Sequence, residues 1–143
     1  MSQVSEILQG KSEALHQIDS EASVLDAVRA MVDANVGALL VTEDGEITGI
    51  VTERDYLRRV TLEGREESVT AVREIMTTPL VVVTPETDVD ECMALMTDRR
   101  IRHLPVTVDG KVTAIVSIGD LVKFISKRQS FEIRYLHEYI SAG

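Results

Sequence analysis

The stretch Gly49-Ile50-Val51-Thr52-Glu53-Arg54-Asp55 returns as Ala114-Ile115-Val116-Ser117-Ile118-Gly119-Asp120, an offset of 65 residues from Gly49 to Ala114. In both copies an apolar run ends in a hydroxyl residue, and an aspartate follows three positions later. The match continues upstream without a gap: Val24 falls on Val89, Met31 on Met96, Leu39 on Leu104, Val41-Thr42 on Val106-Thr107, and Asp44-Gly45 on Asp109-Gly110. Solenoids and arrays repeat every ~20–50 residues, so a longer, doubled unit predicts two related subdomains. Each is small for independent stability, which implies that the halves bury surface against one another.

Local signals follow the same order in each copy. Val24, Ala27, Val28, Met31 and Val32 recur at helical spacing, as do Val89, Cys92, Met93 and Met96, predicting an amphipathic helix in both. Val36 to Val41 and Ile101 to Val108 then read as strands, each leading to an Asp-Gly hairpin turn and a return strand. A second helix follows, with Leu57 and Val60, or Leu121, Val122, Phe124 and Ile125, expected to face inward. Leu15 to Ile18 and Leu80 to Val83 supply a short strand ahead of each first helix. The predicted unit is β-α-β-β-α, an α+β fold, with Glu63 to Ser68 as a charged connection.

A lead-in precedes each unit. Val4-Ser5-Glu6-Ile7-Leu8 resembles Val72-Arg73-Glu74-Ile75-Met76, now at an offset of 68, so the first copy carries three extra residues around Gly10-Lys11-Ser12, opposite Thr77-Thr78-Pro79. The expected division is residues 1–68 for the first repeat with its lead-in and connection, 69–126 for the second, and 127–143 for a helical extension. Phe131, Tyr135, Leu136, Tyr139 and Ile140 lie at helical intervals in that extension, suited either to folding back on the chain or to a subunit contact.

The 143 residues are 44% hydrophobic and 27% charged, in the range of a compact protein. A net charge of −9 argues against long polyanions, hence no nucleic acid and no anionic membrane as partner. No apolar run approaches the roughly 18 residues of a membrane span. Cys92 stands alone, and the first ten residues do not follow the pattern of a secretory signal, so a cytoplasmic, reducing setting is expected. His16, His103, His137 and Cys92 show no zinc-ligand spacing, and Cys92 is expected in the core. No local motif presents a catalytic nucleophile with its base, and no Gly-rich phosphate loop occurs; the expectation is a protein that is not an enzyme, without metal or required cofactor.

Two readings of the repeated motif remain open on spacing alone. Thr52 and Ser117 could cap helices while Asp55 and Asp120 reach back to the free amide. Alternatively, the helix start and hydroxyl could meet a phosphate while the aspartate accepts from ribose hydroxyls. A second feature bears on the choice. Arg99-Arg100-Ile101-Arg102-His103 concentrates positive charge in an acidic chain. Arg99 and Arg100 suit a helix C-terminus. Arg102 and His103, by contrast, open a strand whose counterpart in the first copy is Gly37-Ala38, and arginine suits phosphate.

Together the doubled unit, GIVTERD, AIVSIGD and the run RRIRHLPV resemble the tandem cystathionine-β-synthase (CBS) domain pair, or Bateman module, over roughly residues 4 to 126. The resemblance implies two units packed about a pseudo-twofold axis, leaving clefts for adenosine nucleotides: AMP, ATP or NAD(H) as regulatory ligands. S-adenosylmethionine fits less well, because its cation would meet Arg102. In this resemblance Asp55 and Asp120 hold ribose hydroxyls, Thr52 and Ser117 lie near phosphates, Arg102 and His103 reach phosphate, and Thr78 precedes the strand passing the adenine. Arg54 assists in the first cleft, with Lys11 and Arg58 as secondary candidates there. Because Arg102 and His103 are not duplicated, the cleft of Ser117 and Asp120 is expected to bind more tightly. The expected function is energy or redox sensing, signalled to a separate regulated protein from a homodimer. The alternative is a constitutive scaffold with no nucleotide.

Overall fold

The computed structural model describes residues 2–11 and 15–129. They divide into two compact units, one of residues 15–81 and the other of residues 2–11 with 82–129. Spatial units and linear repeats therefore differ in which lead-in each contains. The lead-in of the first repeat belongs to the unit of the second, and Val72–Glu74 belongs with the first. The expected helix from Phe131 to Ile140 lies outside the described residues.

In the unit of residues 15–81, β1 (Gln17–Asp19) runs parallel to β2 (Ala38–Glu43), with Ile18 opposite Val41. β2 pairs antiparallel with β3 (Glu46–Thr52) through the expected turn. Asp44 and Gly45 there have φ of 51° and 82°, the doubly left-handed geometry that matches the twist of a two-residue hairpin. Between β1 and β2, α2 (Val24–Ala34) starts at Ser23, whose hydroxyl accepts from the Asp26 N–H, and stops at Asn35 in the left-handed region. Its Val24, Ala27 and Met31 bury one face against Leu39, Val41 and Val51, joined by Val60, Val72 and Ile75. Val32, one residue past Met31 and so about 100° further round the helix, is exposed.

After β3 the chain forms α3 (Glu53–Tyr56) and then a wider π turn, Leu57–Thr61. Val60 faces inward as expected, but Leu57 is 56% exposed, a correction that follows from the altered turn. Val72–Glu74 forms a 3-10 turn preceding a segment that reaches β3. The Val72 N–H donates to the Ala22 carbonyl and the Arg73 N–H to the Ser20 carbonyl; Thr77 and Ile50 then exchange N–H···O bonds in both directions.

The other unit opens with α1 (Val4–Gln9), tied down by the Val4 and Ser5 N–H groups on the carbonyls of Thr87 and Pro85. α4 (Val89–Arg99) starts at the Asp88 cap and buries Val89, Cys92 and Met96. It ends at Arg100, whose φ of 55° is unusual for a side chain of that size. β4 (His103–Val108) and β5 (Lys111–Ser117) form the second hairpin, with Asp109 and Gly110 at φ of 52° and 78°. Residues 118–129 are helical, with Leu121 fully buried and Val122 half exposed, so only the first of these two apolar neighbours faces the core.

The strand expected from Leu80 to Val83 shrinks to a single parallel bridge, Val83 to Val106. Proline explains the loss. In the first repeat the Leu40 N–H donates to the His16 carbonyl, extending the ladder beyond Ile18. The residue equivalent to Leu40 is Pro105, which has no N–H to offer Val81, and the residue equivalent to Ser20, whose N–H donates to the Thr42 carbonyl, is Pro85.

Candidate functional site

Each repeat motif lands where a return strand becomes a helix. In the first, the Asp55 N–H donates to Thr52 Oγ1 at 3.2 Å, while the Thr52 N–H and hydroxyl both donate to Asp55 Oδ2 at 3.0 and 3.1 Å. In the second, the Asp120 N–H donates to Ser117 Oγ at 3.1 Å and the Ser117 N–H to Asp120 Oδ2 at 2.9 Å. Both capping boxes are therefore formed. Capping occupies Oδ2 in each and leaves Oδ1 for another donor. For Asp55 that donor is the Thr77 hydroxyl, at 3.3 Å. Asp120 Oδ1 makes no hydrogen bond among the described residues.

The first motif gathers Thr52, Asp55 and Thr77, with Arg54 and Arg58 exposed on the helical turns beyond. Thr78 is exposed, its methyl against the backbone of Gly49, where a Cβ would approach to 2.9 Å. Thr77 was not singled out from sequence, although its position in the loop opposite Lys11 was the available signal.

The second motif gathers more charge. His103 opens β4 directly across from Ser117, and the Arg102 carbonyl accepts from the Ile118 N–H at 2.8 Å. The Arg102 side chain is exposed and makes no ion pair among the described residues. The Lys11 ammonium donates to Asp120 Oδ2 at 2.6 Å and to the Ile115 carbonyl at 2.7 Å. This corrects the sequence expectation, which placed Lys11 with the first repeat's aspartate. The reason is the docking of α1 on Pro85 and Thr87, which carries the lead-in into the unit of the second repeat.

Burial and these charges set the protonation states. Burial lowers the His103 pKa below its ordinary value, and Lys11 and Arg102 lower it further against the opposing pull of Asp120, so the imidazole is neutral near pH 7. Burial alone would raise Asp120, but the Lys11 hydrogen bond, the Ser117 N–H and the Lys11 charge outweigh it and hold the carboxyl below its ordinary range. The cluster thus combines an ionised carboxylate, a neutral imidazole, an ammonium and a guanidinium.

Cys92 is fully buried, and burial together with Glu91 and Asp88 pushes its thiol up to about 11, the behaviour of a core side chain. Among the described residues no group of three or more histidine, cysteine or acidic side chains could hold a metal, and no helix is long and apolar enough to cross a membrane.

The family model for the CBS domain matches residues 4–61 and 72–127, and the chain belongs to that family. It is 46% identical over 129 residues to the CBS domain-containing protein CBSX3, mitochondrial, of Arabidopsis thaliana, covering 87% of this chain and 63% of that one, so this chain spans less than two thirds of the relative's length. A structure described as a signal-transduction protein with CBS domains from Burkholderia ambifaria MC40-6 is 45% identical, with a TM-score of 0.84, over 87% of this chain and 93% of that one. The CBS domain protein PAE2072 from Pyrobaculum aerophilum, solved in complex with AMP, shares the fold at 20% identity and a TM-score of 0.72, over 83% of this chain and 89% of that one. CBS domain proteins are regulatory modules.

Proposed function

We propose that this chain is a regulatory module that binds an adenosine nucleotide (AMP, ATP or NAD(H)) and conveys its occupancy to a separate protein. The observation that carries this reading is the cluster around Asp120. One carboxylate oxygen makes no hydrogen bond among the described residues, while Lys11, Arg102 and neutral His103 surround the same strand-to-helix junction. A carboxylate suits a ribose diol, and the basic side chains suit a phosphate. The AMP complex of a protein sharing the fold supports the choice of ligand class.

In this reading Asp55 and Asp120 accept from ribose, Thr52 and Ser117 lie near phosphate, and Thr78 flanks the base. Arg102 and His103 hold the anion, with Arg54 and Arg58 assisting at the first motif. The relocation of Lys11 adds a third basic group to the second site, so that site binds nucleotide more tightly. We read the assembly as a homodimer in a reducing compartment, the cytoplasm, whose regulated partner is another chain.

Thermal-shift measurements with AMP, ATP and NADH test the reading. Ligand at 100 times its Kd adds about 2.7 kcal/mol of stability. Asp120→Ala is expected to lose more of that shift than Asp55→Ala. No shift with any of the three at millimolar concentration overturns the nucleotide assignment, and equal losses overturn the asymmetry.

A further inference from the structure

The two repeats close the same corner of the fold with different chemistry. In the first unit the Ile50 carbonyl accepts the Thr77 N–H at 2.8 Å and Asp55 accepts the Thr77 hydroxyl, two neutral donors from one residue. The equivalents in the other unit, 65 residues on, are the Ile115 carbonyl and Asp120. Both accept from a single ammonium, that of Lys11. This cation is partly buried, its side chain 18% exposed and that of Asp120 26% exposed.

A carboxylate oxygen offers about two acceptor positions. Asp120 Oδ2 uses them on the Ser117 N–H and on Lys11. One ribose hydroxyl can take Oδ1 without disturbance, but a diol engaging both oxygens must displace the ammonium. We infer that Lys11 is a resident occupant of the Asp120 carboxylate and a specificity-determining residue, which selects phosphorylated nucleosides against the neutral nucleoside. A neutral nucleoside separates Lys11 from its carboxylate and leaves a largely buried cation without a counter-ion. A nucleotide breaks the same ion pair but brings a phosphate that receives the ammonium. The inference rests on the nucleotide reading of this site.

Calorimetric titration with adenosine and with AMP, in an Asp55→Ala background so that the second site reports, tests it. The measured quantity is the ratio of the adenosine Kd to the AMP Kd. Lys11→Met is expected to tighten adenosine, weaken AMP and lower the ratio on the order of tenfold, the scale of one charge-assisted contact. Lys11→Arg is expected to keep most of the discrimination. A lysine that only ties the lead-in to β5 changes both affinities in proportion, so an unchanged or larger ratio in Lys11→Met overturns the inference while leaving the nucleotide reading in place. AMP affinity unchanged by Asp120→Ala overturns the inference by removing the nucleotide from Asp120, whereas AMP binding absent even from the unmutated protein overturns the nucleotide reading and the inference together.

Discussion

Gly49→Ala is a test of how closely the segment after Val72–Glu74 is fitted to β3. A Cβ on Gly49 would lie 2.9 Å from the Thr78 methyl, 3.0 Å from the Thr77 carbonyl oxygen and 3.1 Å from the Met76 sulfur, each nearer than ordinary van der Waals contact. Threonine and methionine can turn away. The carbonyl cannot, because it accepts the Ile50 N–H at 3.1 Å and its own residue's N–H is bound to Ile50. Gly49 is not among the positive-φ glycines, so alanine gains about 0.4–1 kcal/mol through the unfolded chain. Overpacking costs about 1–3 kcal/mol, so the net is a destabilisation of about 1–2 kcal/mol. For a chain of this size that is a fall in Tm of roughly 2–8 °C. The repeat supplies its own control: the equivalent residue is Ala114, and Ala114→Gly is expected to cost only the ordinary ~0.5–1 kcal/mol of added chain entropy. Chemical denaturation followed by circular dichroism measures both variants. If Gly49→Ala is as stable as the unmutated protein, the close approach of the two segments is wrong, and with it the placement of Thr77 beside Asp55.

Two further outcomes are expected. The unfolded chain protonates His103 near 6.5, whereas the folded chain does so only at lower pH, so stability declines as pH drops below about 6.5 and levels off under the folded pKa. His103→Gln flattens this segment of a denaturation-midpoint-against-pH curve, and an unaltered slope contradicts the burial of a neutral imidazole. Cys92, with its thiol pushed up to about 11 and no exposed surface, is expected to resist iodoacetamide at pH 8 until the chain unfolds; labelling at the rate of a free thiol in native buffer argues against that environment.

The elements that sequence reading captured best are those whose cause is local. Asp44-Gly45 and Asp109-Gly110 specify hairpins because two adjacent residues must adopt positive φ, a demand that few residue pairs meet. The helices of Val24–Ala34 and Val89–Arg99 show in the spacing of their buried faces and in Ser23 and Asp88 at their starts. Leu80 to Val83 favour extension by their own composition, yet only Val83 pairs. What removes the ladder bonds is proline, Pro105 in the partner strand and Pro85 just past the segment. Likewise Leu57 obeyed the helical period, but the turn it enters is wider than that period assumes.

The sequence by itself determined the duplication, the two hairpin units and the positions of Asp55 and Asp120, because periodicity, turn chemistry and capping act over a few residues. Tertiary structure decided which cation meets which carboxylate. Lys11 and Asp120 are 109 residues apart, and their contact depends on α1 docking against the Pro85–Thr87 segment of the opposite repeat. Linear proximity pointed Lys11 toward the first aspartate. The exchange of lead-ins between compact units gave it to the second, where one ammonium does the work of an amide and a hydroxyl.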